Sequence, residues 1–418
     1  MPADLEADLA IPGATQPKVV PTRELRVLVV APQPLGEARG TPIAVCNVLE
    51  ALSELGCAVD LLTYPVGEPV QIPGVRVIRW ANPLGIRHVP IGFSLRKLLL
   101  DASLIPALWR SLRRQRYSCI HAVEEAAFPA VVLGRRYGVP VIYDMQSSLP
   151  EQLVKHRVLR GRRVQSALRA CEAWLLRRAD AVVSSAGLLH KVSHSAPGTL
   201  AREWHFPTSG SAPAVGTVGA LRAELGIPAH APVVVYAGTF EPYQGLSMLV
   251  GAVDRVVRAV PDAVFVLVGG DGEPAEALRR EVAQRRLDGS FRLLERKPRS
   301  EIPAYLAMAD LLVSPRSYGD NLPLKVFDYL SAGRPIVATD LPAHRALLDE
   351  SRALLAEPTT AGLATAIIEV LRSPSRGAEL AAAARNYAAA NLGWAGFVAK
   401  VEAVYDEVTS QPPVATRR

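Results

Sequence analysis

The run R-V-L-V-V-A at Arg26–Ala31 and its counterpart V-V-V-Y at Val233–Tyr236 decide how the chain is read. Each is a short, nearly continuous apolar run, the pattern of a strand buried on both faces of a parallel sheet. Outward from the first, Val45, Val48, Leu49, Leu52 and Leu55 recur at helical spacing within 43–55, Gly56 stops the helix, and 58–63 gives the next strand. Further strands are expected at 75–79, 119–121, 140–144 and 181–184. A loop rich in Ser, Gly, Pro and Ala at 208–217 precedes the second run. After it come strands at 264–268, 291–294, 311–314 and 335–338, separated by helical segments at 245–260, 276–285 and 302–309. Alternating strand and helix predicts an α/β protein of two Rossmann-like domains, each a doubly wound parallel sheet, facing each other across a cleft. The expected bounds are a flexible tail at 1–23, an N-terminal domain at 24–207, a C-terminal domain at 208–395, a helix at 396–408 returning to the first domain, and a flexible tail at 409–418.

With 418 residues, 49% apolar and 21% charged, the chain has material for two cores, which excludes a disordered or collagen-like reading. Cys46, Cys57, Cys119 and Cys171 form no C-x-x-C pair and are too few for a disulfide framework, which suits a reducing compartment. No apolar stretch reaches the length of about 18 residues that reads as a membrane span, and residues 1–23 lack a charged leader before a hydrophobic run. A cytoplasmic protein is expected.

The net charge of +7 is uneven. Residues 1–200 hold 24 Lys and Arg against 16 Asp and Glu, hence +8, and the remainder holds 23 against 24, hence −1. Between Arg87 and Arg169, 15 basic residues face five acidic ones. Arg96, Lys97, Arg110, Arg113, Arg114 and Arg116 flank the apolar stretch from Leu98 to Trp109, in which Pro106 is expected to break the helix. Such a basic amphipathic element suits peripheral contact with an anionic membrane on its inner face, or else an ordinary solvated arginine-rich surface. Both readings stand at this point.

In doubly wound sheets, ligands sit beyond the carboxyl ends of the strands, so the chemistry is sought on loops that follow strands. The most informative is S-P-R-S-Y-G-D-N-L-P-L-K-V-F-D-Y-L-S-A-G-R-P-I-V-A-T-D from Ser314 to Asp340. Pro323 suits a first helical position and Gly333 a helix end. A helix start there offers free amides to an anion, with Asp320 before it and Lys325, Asp328 and Tyr329 on one face. A plain salt bridge between Asp328 and Lys325, or a solvated lysine, is the alternative reading of the same spacing.

This segment resembles the retaining glycosyltransferases of family 4, also called group 1, which have the GT-B fold. Their pattern is an acidic residue, seven others, a second acidic residue, a small-residue turn and P-[IV]-V-A-T; Asp320 and Asp328 have that spacing, with Asp where the family usually has Glu. The resemblance runs from about Leu25 to Tyr405. It implies a donor site in the C-terminal domain, with Asp320 on the transferred sugar, Asp328 on the ribose, and Asn321 and Leu322 between them. It implies an acceptor site mostly in the N-terminal domain.

Y-A-G-T-F-E-P-Y-Q-G from Tyr236 to Gly245 resembles the family's G-R-x-x-x-x-K-G loop, whose two cations clamp the donor diphosphate. Here Thr239 follows Gly238 in place of the arginine and Gln244 replaces the lysine, so Lys325, with Arg316, is expected to meet the phosphate charge. V-L-V-G-G-D-G at Val266–Gly272 matches the turn beside the nucleotide base, pointing to Gly270 and Gly272, though a bare glycine turn reads the same.

In the first half, P-Q-P-L-G-E-A-R-G-T-P at Pro32–Pro42 resembles the family's glycine-rich first loop, with Gly36 and Gly40 near ligand, Thr41 as helix N-cap and Pro42 as first helical residue. Its spacing is not G-x-G-x-x-G, so NAD is not implied. C-I-H-A-V-E-E-A at Cys119–Ala126 leaves a strand with His121, Glu124 and Glu125 at its end. The resemblance implies a catalytic role for His121 and Glu124, although a family histidine usually falls where Val123 stands and a lone histidine reads equally as a satisfied structural residue. Y-D-M-Q-S-S-L-P-E at Tyr143–Glu151 resembles the family's Y-D-x-H-x-x-x-P-E, with Gln146 at the usual histidine. Glutamine can orient a hydroxyl but is no general base, which leaves Asp144 as the acid of that loop.

The expected activity is transfer of a sugar from an activated donor, a nucleotide diphosphate sugar, to a saccharide or lipid acceptor with retention. No D-x-D stands at a strand end, so no metal or other cofactor is expected, nor a nucleic-acid partner. Two other classes fit the same features: a non-hydrolysing nucleotide-sugar epimerase, and a catalytically silent partner, suggested by the neutral Gln146, Thr239 and Gln244.

Overall fold

The computed structural model describes residues 24–35, 40–80, 82, 85–86, 95–148, 161–184, 188–205, 207, 216–319 and 322–410. Thirteen strands, all in parallel pairs, form two sheets among these residues. The first contains β1 (Arg26–Ala31), β2 (Ala58–Thr63), β3 (Val75–Arg79), β4 (Cys119–Val123), β5 (Val141–Met145), β6 (Ala181–Ser184) and β7 (Leu200–Glu203), in the order β3-β2-β1-β4-β5-β6-β7. The second contains β8 (Val233–Ala237), β9 (Val264–Gly270), β10 (Phe291–Glu295), β11 (Leu311–Ser314), β12 (Ile336–Thr339) and β13 (Leu354–Ala356), in the order β10-β9-β8-β11-β12-β13.

The apolar runs are continuous because both faces of each central strand are covered. Val27, Val29 and Ala31 enter one core while Leu28 and Val30 enter another. In β8, Val233, Val235 and Ala237 face the first of these cores, and Val234 and Tyr236 a third. Each sheet reverses its strand order once, between β1 and β4 and between β8 and β11. Loops diverge there, and a crevice opens beyond the carboxyl ends. The two Rossmann-like sheets of the expected α/β fold are thus both present.

The helix Trp394–Ser410 buries Phe397, Val401, Val404 and Tyr405 and packs on the helix Gly40–Glu54 that follows β1. Trp394 Nε1 donates to Glu54 at that contact.

Local expectations fail in three places. The helix Leu95–Arg114 runs through Pro106, because Leu100, Leu104, Leu108 and Leu112 bury one stripe. At about 1.5–3 kcal/mol each, those leucines outweigh a cost of about 3 kcal/mol for an internal proline. The helix after β11 spans Lys325–Ser331 rather than starting at Pro323, whose carbonyl accepts from the Val326 N–H at 3.0 Å in a turn leading into it. Thr41 lies inside the helix Gly40–Glu54 rather than capping it.

Candidate active site

The second crevice is built by packing the glycine turn after β8 on the loop after β11. Beyond β8, Gly245 has φ 74°, and a Cβ there would stand 1.8 Å from the Pro315 carbonyl oxygen beyond β11. The Ser317 N–H donates to the Tyr243 carbonyl at 3.0 Å, so the loops after β8 and β11 are one unit. Tyr329 bridges the strands where they separate: its hydroxyl accepts from the Ala237 N–H at 2.9 Å and donates to the Val313 carbonyl at 3.4 Å.

Gly238, Thr239, Gln244, Arg316 and Lys325 are gathered around this point, and Leu322 is buried in the core just before the Lys325 helix. Lys325 Nζ donates to Gln244 Oε1 at 2.8 Å and stands 3.9 Å from the centre of the Tyr236 ring. It also lies over Gly238, where a Cβ would be 3.1 Å from it. Burial, with the Arg316 guanidinium adding, holds the Lys325 pKa well below the ordinary lysine value. Arg316 is buried, donates from Nε to the Tyr318 carbonyl at 2.9 Å, and places its guanidinium 5.3 Å from the Tyr243 ring centre. Asp328 is partly buried on the Lys325 helix, and no salt bridge joins it to Lys325 among the described residues. Asp320 and Asn321 lie outside the described residues.

The two base-side glycines separate. Gly270 is buried with the Phe240 ring where its Cβ would be, whereas Gly272 is exposed at the start of the helix Gly272–Gln284.

Behind the cations sits a histidine that the sequence did not single out. His344 is fully buried, its Nε2 accepting from Ser314 Oγ at 2.9 Å and its Nδ1 donating to the Thr339 carbonyl at 2.7 Å. Burial, aided by the nearby Lys325 and Arg316 charges, pushes its pKa down to about 4.

The first crevice collects Glu124, Asp144 and Gln146. Gln146 Nε2 donates to Asp144 Oδ1 at 2.5 Å, and His121 Nε2 donates to Asp144 Oδ2 at 3.3 Å. Tyr405, from the C-terminal helix, donates to His121 Nδ1 at 2.9 Å. This tautomer satisfies every atom of the chain. His121 and Asp144 are each only 1% exposed, so both lie beneath the crevice, where they hold Gln146 in place. Glu124 takes a left-handed backbone, φ 53°, uncommon outside glycine. Both of its carboxylate oxygens accept from Ser147 Oγ, at 3.0 and 3.1 Å.

Nearby, Lys97 pairs with Glu125, and Tyr64 donates to Asp101 at 2.6 Å. Burial and the Glu125 carboxylate push the Asp101 pKa up to about 7, against the opposing effects of Tyr64 and Lys97. Gly36 lies outside the described residues. Gly40 opens its helix against the other half, where a Cβ on it would be 3.7 Å from Leu324 Cδ1.

Residues 231–373 match the family described as glycosyl transferases group 1, and residues 39–188 match the glycosyl transferase 4-like domain, together more than half of the chain. The chain belongs to the group 1 glycosyltransferases. This glycosyltransferase is 26% identical to the D-inositol 3-phosphate glycosyltransferase of Xylanimonas cellulosilytica, over 96% of this chain and all of that protein. It is 28% identical to the phosphatidyl-myo-inositol mannosyltransferase of Mycobacterium tuberculosis, over 52% of this chain and 60% of that protein. Its fold is similar to that of sucrose-phosphate synthase from Thermosynechococcus elongatus, with TM-score 0.77, 21% identity and coverage of 92% and 98% of the two chains. The Anabaena protein HepE in complex with UDP and glucose gives TM-score 0.72 at 17% identity, over 93% and 100%. The fold is GT-B.

Tyr236, Tyr329, His344 and Tyr405 carry no local signature in the sequence; strand order and the path of the last helix bring them to their partners. Among its described residues, no three His, Cys, Asp or Glu side chains are grouped so as to hold a metal ion, and no helix is long and apolar enough to cross a membrane.

Proposed function

We propose that this glycosyltransferase takes a sugar from a nucleoside diphosphate sugar held at the β8/β11 crevice and passes it to an acceptor hydroxyl at the β1/β4 crevice. The carrying observation is the chemistry at the two strand-order reversals: cationic Lys325 and Arg316 at one, carboxylates and amide oxygens at the other. Phosphate suits the first and hydroxyls the second. A nucleotide sugar is further supported by the HepE structures, which contain UDP, glucose and UDP-glucose. The relatives' names suggest an acceptor built on inositol carrying phosphate, free or lipid-linked.

In the proposed reaction, the bond from the anomeric carbon to the leaving phosphate breaks as the acceptor oxygen bonds to the same face. The acceptor proton passes to the departing phosphate oxygen, and configuration is retained without a metal ion. Asp320 holds the transferred sugar, Asp328 the ribose, and Asn321, Leu322, Gly238 and Thr239 line the donor. Gln146, fixed through Asp144, His121 and Tyr405, orients the acceptor. For a lipid-linked acceptor, the exposed Leu99, Ile105 and Trp109 beside Arg110, Arg113, Arg114 and Arg116 form the membrane-facing surface.

Separate binding and turnover measurements test the assignment. Asp328→Ala is expected to weaken free nucleotide by about tenfold or more, the scale of a hydrogen bond to a charged group. Asp320→Ala should slow transfer while leaving nucleotide binding near that of the parent. Negligible effects of both on both quantities would sink the assignment.

A further inference from the structure

We propose that Lys325 is the cation that receives the donor diphosphate, and that Gln244 is neutral because it holds that lysine in place. The inference rests on the nucleoside diphosphate reading of the β8/β11 crevice.

The half-buried Lys325 places its ammonium against one amide oxygen and one aromatic face, neither of which cancels its charge. Gln244 Oε1 accepts from it at 2.8 Å, and the Tyr236 ring lies 3.9 Å away. Among the described residues no carboxylate pairs with it. Arg316 adds a second positive charge nearby. Enclosing an ammonium without a counter-ion is unfavourable, and a phosphate arriving in the crevice would relieve it. A lysine placed only for packing would more simply extend to water, as the long aliphatic stem allows.

The surroundings fit this side chain closely. Gly238 leaves its Cβ direction open to the ammonium, since a methyl there would stand 3.1 Å from Nζ and 3.3 Å from Cε. Tyr236 fixes the next turn by donating to the Thr239 carbonyl at 2.7 Å. Gln244 must present its carbonyl oxygen, because an ammonium has no lone pair to accept from an amide. A lysine at 244 would set two ammonium groups side by side. Position 244 is therefore neutral as a consequence of Lys325: one cation occupies the clamp, reached from the helix after β11 instead of the loop after β8.

Calorimetry of the full chain with UDP, GDP and ADP and their monophosphates tests this on four proteins: parent, Lys325→Ala, Gln244→Lys and the double variant. The parent should bind at least one diphosphate, and Lys325→Ala should lose about 10- to 100-fold of that affinity, with a smaller loss for the matching monophosphate. Gln244→Lys alone should weaken binding, yet in the Lys325→Ala background it should restore affinity to within about fivefold of the parent. Melting curves confirm that each variant is folded. Equal diphosphate affinity for parent and Lys325→Ala would overturn the Lys325 assignment and leave the donor reading intact. A parent that binds none of the three diphosphates would overturn the donor reading itself.

Discussion

The crevice at β1/β4 and the crevice at β8/β11 occupy equivalent places in two sheets of the same kind, yet their charged groups are handled in opposite ways. In the first, Asp144 accepts from His121 and Gln146, Glu124 from Ser147, Glu125 pairs with Lys97, and Asp101 accepts from Tyr64. In the second, the Lys325 ammonium is met by an amide oxygen and an aromatic face. The topology supplies a place for a ligand, and the side chains on either side of the reversal decide which ligand. A network of paired carboxylates is a stable surface for hydroxyls. A cation that no carboxylate pairs with among the described residues suits an anion.

The two crevices should differ most in their response to pH, because they hold titratable groups shifted in opposite senses. Asp101 is raised from 3.8 to about 7, so its neutral form belongs to the folded state. Its favourable contribution is present below its unfolded value near 4 and is lost as pH climbs through about 7. The full shift amounts to as much as about 4 kcal/mol. Asp101→Asn keeps an acceptor for the Tyr64 hydroxyl and removes the titration. It should therefore be more stable than the parent above pH 7, by urea midpoint, with the gain shrinking towards pH 4. A constant difference across that range would show that Asp101 is charged in the folded protein and adds to the negative charge of the first crevice.

In the second crevice the slope reverses. His344 is lowered from 6.5 to about 4, so its neutral form is native, and its contribution is present above pH 6.5 and lost as pH falls through about 4. Over that window the loss is about 3 kcal/mol. His344→Gln, whose amide can still bond Ser314 or the Thr339 carbonyl, should flatten the acid limb of the urea midpoint against pH even if it lowers the midpoint at pH 7. An unchanged acid limb would mean that His344 is not the group that titrates there.

How much of this was legible beforehand depends on where each signal resides. The central strands are readable because strands buried on both faces show as apolar runs: 181–184 and 311–314 coincide with β6 and β11, and the edge strand β3, only partly buried, also falls at its expected 75–79. The edge strands β7, L-A-R-E, and β13, only three residues long, carry no such run and were not anticipated. Pro106 was misread because a local rule was applied where a leucine stripe, visible only at spacing four across the proline, governs. At the candidate site, Lys325 is singled out through the family resemblance, because Thr239 and Gln244, more than 80 residues away, are neutral where the family's loop carries two cations. His344, Tyr329 and Tyr405 could not be found that way, because their partners are set by strand order and by the path of the last helix.

The smallest effect concerns the outer surfaces, where the halves differ again: residues 1–200 carry +8 and the remainder −1. On the helix Leu95–Arg114, the inward leucine stripe leaves Leu99 at 47%, Ile105 at 50% and Trp109 at 40% exposure, and the Arg113 guanidinium lies 4.7 Å from the Trp109 ring centre. A tryptophan with basic residues beside it suits the boundary between headgroups and acyl chains, and each arginine near an anionic surface contributes about 1 kcal/mol. Flotation with phosphatidylglycerol vesicles should therefore carry the protein at low salt and release it at high salt, since exposed charges are screened over about 10 Å at 0.1 M. Replacing Arg113 and Arg114 together by alanine should lower the partition coefficient about 10- to 30-fold on that scale. Trp109→Ala should reduce it without changing the salt dependence, because the ring contributes burial rather than charge. Equal flotation with phosphatidylcholine and phosphatidylglycerol would assign the basic face to solvent, and the charge difference between the halves would then have no bearing on where the acceptor comes from.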